Sequence, residues 1–144
     1  MSRAYFLQPL LRADGAAAVL GVQGRGPIAT TVIAAFDSAS RRRGLLGRDG
    51  LDEGAALIIA PSSAVHTFRM RFPVDLVYAA RDGKVLKVRE AVPPNSMSGA
   101  WGAFAVIELP AGTIARIGVR PGDQLVISPA AQAAPPSPRG APPA

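Results

Sequence analysis

The chain has 144 residues, of which 49% are hydrophobic and 18% are charged, and it carries a formal net charge of +6. This length and composition predict one globular domain with its own hydrophobic core. Because the chain contains no cysteine, disulfides, thiolate metal sites and cysteine nucleophiles are excluded. A single histidine with carboxylates is also a poor zinc ligand set, so we expect neither a metal nor a cofactor.

The first two apolar runs predict a β-hairpin. Tyr5–Leu11 and Ala16–Val22 flank the segment Ala13-Asp14-Gly15. A short turn that contains Asp-Gly between two apolar runs is a signal for two paired strands.

The later apolar runs are short and bounded by turn residues, which is typical of strands. They are Ile28–Phe36, Ala55–Ala60, Val74–Ala80, Lys84–Val92, Ala103–Leu109 and Gln124–Ser128. Arg81-Asp82-Gly83 is predicted to be a second hairpin turn. One short helix is expected to follow the N-cap Asp37 and end at Gly47, and another lies within Gly112–Ile117. We therefore predict a mainly β fold: an antiparallel β-sandwich or a partly open barrel with one or two short helices.

The end of the chain differs in composition from the rest. Residues 129–144 are rich in proline and alanine and contain no large apolar side chain. Ordering them would cost conformational entropy without burying apolar surface, so we predict a disordered tail after a single domain over residues 1–128. No apolar run reaches the roughly 20 residues of a membrane span, and no clear signal peptide is evident. We expect a cytoplasmic location, with an exported form as the alternative.

Five short segments between residues 43 and 123 form a series. They are Arg43-Gly44-Leu45-Leu46-Gly47-Arg48, His66-Thr67-Phe68-Arg69-Met70, Pro73-Val74-Asp75 with Asp82-Gly83, Val106-Ile107-Glu108-Leu109-Pro110-Ala111-Gly112, and Gly118-Val119-Arg120-Pro121-Gly122-Asp123. In this order they resemble the bacterial and archaeal family known as domain of unknown function 192. The resemblance implies a small β-sandwich or barrel domain and no established reaction, so it supports the fold and leaves the function open.

The only histidine lies in a stretch that mixes polar and aromatic side chains. Ligand sites combine apolar walls with a few polar groups, so we predict a shallow pocket here for a small anionic or sugar-like ligand. The candidate ligand-binding residues are Arg43, His66, Phe68, Met70 and Trp101, and the candidate supporting residues are Asp75, Glu108 and Asp123.

Two acids are each embedded in an apolar strand, Asp75 and Glu108. Facing carboxylates could catalyse glycoside hydrolysis, but a buried acid more often has a structural partner. The candidate partners are Arg43, Arg69 and Arg116. We hypothesise that Asp75 is buried and anchors either the His66–Met70 loop or the helix of Arg43 to the sheet.

The basic residues form one cluster, Arg41–Arg43 with Arg48. No aromatic residues are interleaved with it for bases to stack on, so we do not expect nucleic-acid binding. Because Arg43 directly precedes Gly44-Leu45-Leu46, we predict that it turns toward the core while the other two arginines of the triplet face solvent.

Three functions remain open from the sequence. The first is the non-catalytic binding module described above. The second is a hydrolase that uses His66 or the two strand carboxylates, although no serine occurs in a Gly-x-Ser-x-Gly elbow. The third is a protein-interaction domain that presents the basic helix 41–48 to an acidic partner.

Overall fold

The computed structural model describes residues 5–12 and 18–129, which form a mainly β structure. The three short helices in these ranges are α1 (Gln8–Arg12), α2 (Ser38–Arg43) and α3 (Thr113–Ile117). The strands are β1 (Ala18–Val22), β2 (Gly26–Ala29), β3 (Thr31–Ala35), β4 (Ala55–Ile59), β5 (Ala64–His66), β6 (Val74–Ala79), β7 (Val85–Val92), β8 (Met97–Gly99), β9 (Ala105–Pro110) and β10 (Leu125–Pro129). The mainly β fold class predicted from the sequence is confirmed, with three short helices instead of one or two.

The strands form three sheets. The largest has five strands in the order β3-β4-β9-β6-β7, a second has the order β10-β1-β2, and β5 pairs with β8 in a two-stranded ribbon. Over the described ranges none of these sheets closes into a barrel. Paired strands are antiparallel except β3 and β4, which are parallel. The prediction of a wholly antiparallel arrangement is wrong at this pair, because α2 and the loop after it form a crossover between β3 and β4, and parallel neighbours require one.

The five-stranded sheet has an apolar core on each face. On one face its side chains pack against the three-stranded sheet, α3 and the segment before α1, in a cluster that includes Leu20 and Ile58. On the other face, Leu57 packs with Leu45 from the loop after α2 and with Met70. Because both faces are covered, every residue of β4, β6 and β9 is buried, as in other sheets covered on both sides. The face that carries Leu57 is called the α2 face below.

Two predicted strands differ from the structure. Tyr5–Leu11 is not a strand, because its second half belongs to α1 and Phe6 and Leu7 enter the core just before that helix. Proline is tolerated in the first helical turn, where the backbone amide has no helical partner, so Pro9 does not prevent a helix. The run Ile28–Phe36 divides between β2 and β3, which belong to different sheets.

Other expected elements are present. The β6–β7 hairpin is formed as predicted, and the Asp37 carboxylate caps α2 by accepting a hydrogen bond from the Ser40 amide at 2.8 Å. The helix ends at Gly44, earlier than the predicted Gly47. The turn expected at residues 13–15 and the tail from residue 130 lie outside the described residues.

Helix length also bears on membranes. The longest helix in the described ranges is α2, with six residues, and none of the helices there is long and apolar enough to cross a bilayer.

Candidate functional site

A cavity of about 590 Å³ opens on the α2 face of the five-stranded sheet. Its volume is within the range of roughly 300–1,000 Å³ that is usual for small-molecule sites. One wall is formed by α2 and the loop after it, the opposite wall by β5 and the segment before it, and the floor by β4 and β9. The lining residues include Ser38, Arg41, Arg42, Arg43, Leu45, Ile59, Ser62, Val65, His66, Met70 and Glu108.

Three consecutive arginines of α2 line the first wall, and they differ in their contacts. Arg41 is half-buried, and its Nη1 donates to the carbonyl oxygen of Phe36 at 2.6 Å. The Nε of Arg42 donates to the carbonyl oxygen of Ser38 at 3.3 Å. Arg43 is exposed, and its side chain has no hydrogen bond or ion pair within the described part of the chain. Of the three guanidinium groups on this wall, that of Arg43 is therefore the one with no contact inside the described protein that a ligand would have to replace.

The prediction that Arg43 turns toward the core is wrong, and Arg41 is the arginine that packs inward. The prediction treated Leu45 as part of the same helix as Arg43. The helix ends at Gly44, whose φ of 46° turns the chain, so the direction of Leu45 is independent of the helix face on which Arg43 lies.

Glu108 lies at the floor of the cavity, on β9. Its neighbours across the sheet are Leu57 on β4 and Leu76 on β6. The side chain is 2% exposed, and its Oε2 atom has no hydrogen-bond partner in the described structure. Burial in these surroundings raises the pKa of Glu108 to about 7, because desolvation disfavours the charged form of a carboxyl.

The two strand acids lie on opposite faces of the five-stranded sheet. Leu76 is paired with Glu108, and its neighbour Asp75 is paired with Leu109. Successive side chains of a strand point to opposite faces, so Asp75 points away from the face that carries Glu108. A hydrolytic pair of these two carboxylates is therefore not formed.

Asp75 is fully buried, as predicted, but it does not anchor the predicted elements. One carboxylate oxygen accepts from the Ala91 amide at 2.8 Å, and the other accepts from the amides of Gly112 at 3.1 Å and Ile114 at 2.8 Å. These contacts fix a bulge in β7, where Ala91 has a φ of 47°, and the start of α3. The hypothesis that Asp75 holds the His66–Met70 loop or α2 is wrong.

The arginines proposed as partners of these acids have other environments. Arg116 pairs with Glu53 at 3.1 Å, and the side chains of Arg43 and Arg69 are exposed. Backbone amides take the place of an arginine at Asp75, and Glu108 is left without a cation.

The segment around His66 is only partly inside the cavity. His66 is exposed on β5 and lines the cavity, and its ring stacks on Phe68 at a centroid distance of 4.9 Å. Phe68 is 42% exposed and lies outside the lining, whereas Met70 is buried and within it.

No serine or threonine hydroxyl of the described residues is hydrogen-bonded to His66. The Ser62 hydroxyl donates to the Ala64 carbonyl oxygen at 2.8 Å, and the Thr67 hydroxyl donates to the Pro93 carbonyl oxygen at 2.7 Å. A nucleophile activated by His66 is therefore not assembled here.

Trp101 and Asp123 lie away from the cavity. Trp101 is fully exposed and borders a separate shallow depression with Gly99, so it does not form the predicted pocket wall. Asp123 accepts two hydrogen bonds from Arg25, at 2.8 and 3.1 Å, and one from the Arg120 amide at 2.9 Å. These bonds tie the turn before β10 to the β1–β2 turn.

Sequence reasoning missed part of the site. Ser38 and Arg41 line the cavity, and their spacing of three residues on one helix face was the signal that could have placed them together. Beneath the β5–β8 ribbon, the hydroxyls of Tyr78 and Ser98 are neighbours, but neither forms a hydrogen bond of good geometry. Burial raises the pKa of Tyr78.

The described residues contain no group of three or more His, Asp or Glu side chains arranged to hold a metal ion. The cavity combines an apolar floor that carries one carboxyl group with a basic wall.

Comparison with known proteins gives a family and two similar folds. The model of the domain of unknown function 192 family, described as "Uncharacterized ACR", matches residues 19–127. Among curated proteins, no sequence is measurably similar to this chain.

Two crystal structures share the fold, each with a TM-score of 0.65 and 25% sequence identity over 76% of this chain. One is a protein of unknown function from Novosphingobium aromaticivorans DSM 12444, of which 82% is covered. The other is from Sinorhizobium meliloti 1021, is described provisionally as a transcription regulator, and is covered over 93% of its length.

Proposed function

The chain belongs to the domain of unknown function 192 family, and from the geometry of its cavity we propose that it is a non-catalytic binding module for a small organic anion. The observation that carries this proposal is the unpartnered Glu108 carboxyl at the floor of a 590 Å³ cavity that has three arginines in its wall. Functional sites combine an apolar concave surface with a few convergent polar groups in this way.

The basic wall supports an anionic ligand. Arg43 projects a guanidinium that has no partner in the described structure, and a guanidinium binds a carboxylate or phosphate through two parallel hydrogen bonds. Arg41 and Arg42 donate to main-chain carbonyls but keep their positive charge near the same opening. The local potential therefore favours an anion over a cation at the mouth of the cavity.

The experiment is a thermal-shift and calorimetric titration with inorganic phosphate, citrate and gluconate. A ligand that binds only the native state raises the melting temperature, and we expect this for at least one of the three anions. Arg43→Ala should weaken the binding about tenfold or more, which corresponds to the roughly 1.5–3 kcal/mol of a charge-assisted hydrogen bond.

Arg120→Ala is the matched control. Arg120 is also exposed, its side chain has no described partner, and it does not line the cavity. Loss of binding in both variants would indicate a nonspecific effect of net charge, and unchanged binding in Arg43→Ala would contradict the proposed site. A short DNA duplex completes the panel because one neighbour is described as a transcription regulator; binding of the duplex alone would overturn the small-molecule proposal.

A further inference from the structure

We propose that the ligand of this cavity is a hydroxylated organic anion, held with its anionic group at Arg43 and with a hydroxyl inward at Glu108. This inference rests on the proposed function and names its ligand class. Hydroxy acids, sugar acids and sugar phosphates share the required chemistry: an anionic end and a hydroxyl that both donates and accepts hydrogen bonds.

The floor of the cavity requires a hydrogen-bond donor. The Oε2 atom of Glu108 is buried without a partner, and an unsatisfied buried acceptor destabilises the native protein. Its cross-strand neighbours on the sheet, Leu57 and Leu76, are apolar, and no donor of the described protein is hydrogen-bonded to Oε2. A ligand that brings a donor to this atom removes an existing cost, which favours such a ligand over one with an apolar end.

A hydroxyl suits this floor better than an ammonium group. An ammonium has three donors, and apart from the Glu108 carboxyl the inner lining of the cavity includes the apolar side chains of Ile59, Leu45 and Met70. These side chains offer no further strong acceptor, so an ammonium would be satisfied less completely than a hydroxyl. A hydroxyl has one donor, and its oxygen can also accept from the carboxyl when Glu108 is protonated, so it bonds to either protonation state.

The mouth of the cavity selects the anionic end. Arg43 is exposed and unpartnered in the described structure, whereas the floor is shielded from water. An anion is therefore expected to remain at the basic rim, and the neutral hydroxyl to enter the apolar floor, because burying a second charge beside Glu108 would be costly.

The test compares ligands that differ in one terminal group. Straight-chain carboxylates of four to six carbons are titrated as the parent acid, the ω-hydroxy acid and the ω-amino acid, against the wild-type protein. For at least one chain length, we expect the hydroxy acid to bind about tenfold more tightly than its parent, which is about 1.4 kcal/mol.

Two variants assign this preference to Glu108. Glu108→Leu and Glu108→Met both fill the space of the carboxyl with apolar atoms and should abolish the preference for the hydroxyl, so that the hydroxy acid binds no more tightly than its parent. Circular dichroism checks that each variant is folded, and one folded variant is sufficient. Glu90→Leu is the control, because Glu90 is an exposed acid outside the cavity lining, and its hydroxyl preference should equal that of the wild type.

The outcomes separate this inference from the proposed function. Equal binding of parent and hydroxy acids, or tightest binding of the amino acids, overturns the inference but leaves an anion site. A hydroxyl preference that survives in the folded Glu108 variants also overturns it. If neither these acids nor phosphate, citrate or gluconate binds, the proposed function fails as well.

Discussion

At the scale of single residues, the two buried acids have opposite environments. Asp75 accepts three backbone hydrogen bonds, so both oxygens of its buried carboxyl group have partners. The Oε2 atom of Glu108 accepts none, and burial raises the pKa of this carboxyl to about 7. Asp75 therefore stabilises the fold, whereas ionised Glu108 destabilises it near neutral pH. This contrast gives two predictions for amide substitutions that keep the size of the side chain.

Asp75→Asn should lower the free energy of unfolding by about 1 to 3 kcal/mol. Both oxygens of the wild-type carboxylate accept from backbone amides. An asparagine has only one acceptor oxygen, so its NH₂ group would face at least one of these amides, donor against donor. Urea denaturation monitored by circular dichroism measures the change. Asp49→Asn is a suitable control, because Asp49 is an exposed acid in an ion pair with Arg71. If both variants are as stable as the wild type, the three amide contacts of Asp75 contribute nothing measurable.

Glu108→Gln should change stability in a pH-dependent way. Burial raises the pKa of Glu108 from its usual value of 4.5 to about 7 in the native protein, so the native state binds this proton more tightly than the unfolded state. The stabilisation of the native state by this proton is fully present below about pH 4.5, decreases as the pH rises, and is lost above about pH 7. Glutamine does not titrate in this range. The free energy of unfolding of the variant, relative to that of the wild type, should therefore increase by on the order of 3 kcal/mol between pH 4 and pH 8.

Urea titrations of both proteins at several pH values between 4 and 8 measure the difference in their unfolding free energies. The other acids contribute equally in both proteins, so their contributions cancel in this difference. A difference in unfolding free energy that stays constant with pH would show that Glu108 has an ordinary pKa, and hence that water reaches the cavity floor freely.

At the scale of elements, most strands were predictable because apolar runs and turn residues are local signals. The β6–β7 hairpin follows from the turn Arg81-Asp82-Gly83 and the apolar runs on either side. The relative placement of Asp75 and Glu108 could not be predicted, because it depends on the register between β6 and β9. A shift of one residue moves a side chain to the other face of the sheet, and nothing local in either strand fixes that register.

The candidate site was predictable only in part, for the same reason. His66, Met70 and Arg43 were identified from residue type and do line the cavity. Trp101 was identified by the same reasoning but lies outside it, because the path of the loop after β8 depends on tertiary packing. The sequence could suggest which side chains carry chemistry and could not show which of them converge.

The α2 helix gives a prediction that separates two neighbouring arginines. Arg41→Ala should cost about 1 kcal/mol, because it removes a hydrogen bond to Phe36 and the packing of a half-buried side-chain stem. Arg43→Ala should change stability by less than about 0.5 kcal/mol, as is usual for exposed positions. Chemical denaturation of the two single variants gives the comparison. A larger loss at Arg43 than at Arg41 would show that Arg43, and not Arg41, is the arginine that packs against the domain.

At the scale of the whole molecule, the turn between β6 and β7 joins the two larger sheets. The Gly83 carbonyl oxygen accepts from the Leu125 amide of β10 at 2.9 Å, and the Val85 amide of β7 donates to Asp123 at 2.8 Å. The start of β7 is thereby attached to the three-stranded sheet, beside Phe6. The core between the two sheets depends on this junction, because it sets how closely they approach.

Gly83→Ala should therefore destabilise the domain more than an alanine at another left-handed glycine. Gly83 has a φ of +92°, and a Cβ there would lie 2.7 Å from the Leu125 oxygen and 2.9 Å from the Phe6 Cβ. Gly122 has a φ of +95° but no atom within 4 Å of such a Cβ, so Gly122→Ala isolates the cost of the backbone conformation, about 1 to 2 kcal/mol. Displacing the backbone of β10 should add at least about 2 kcal/mol at Gly83. In a thermal melt this extra cost corresponds to a fall of about 5 °C or more beyond that of the control, and equal melting temperatures for the two variants would show that the sheets can separate at this turn without loss of core packing.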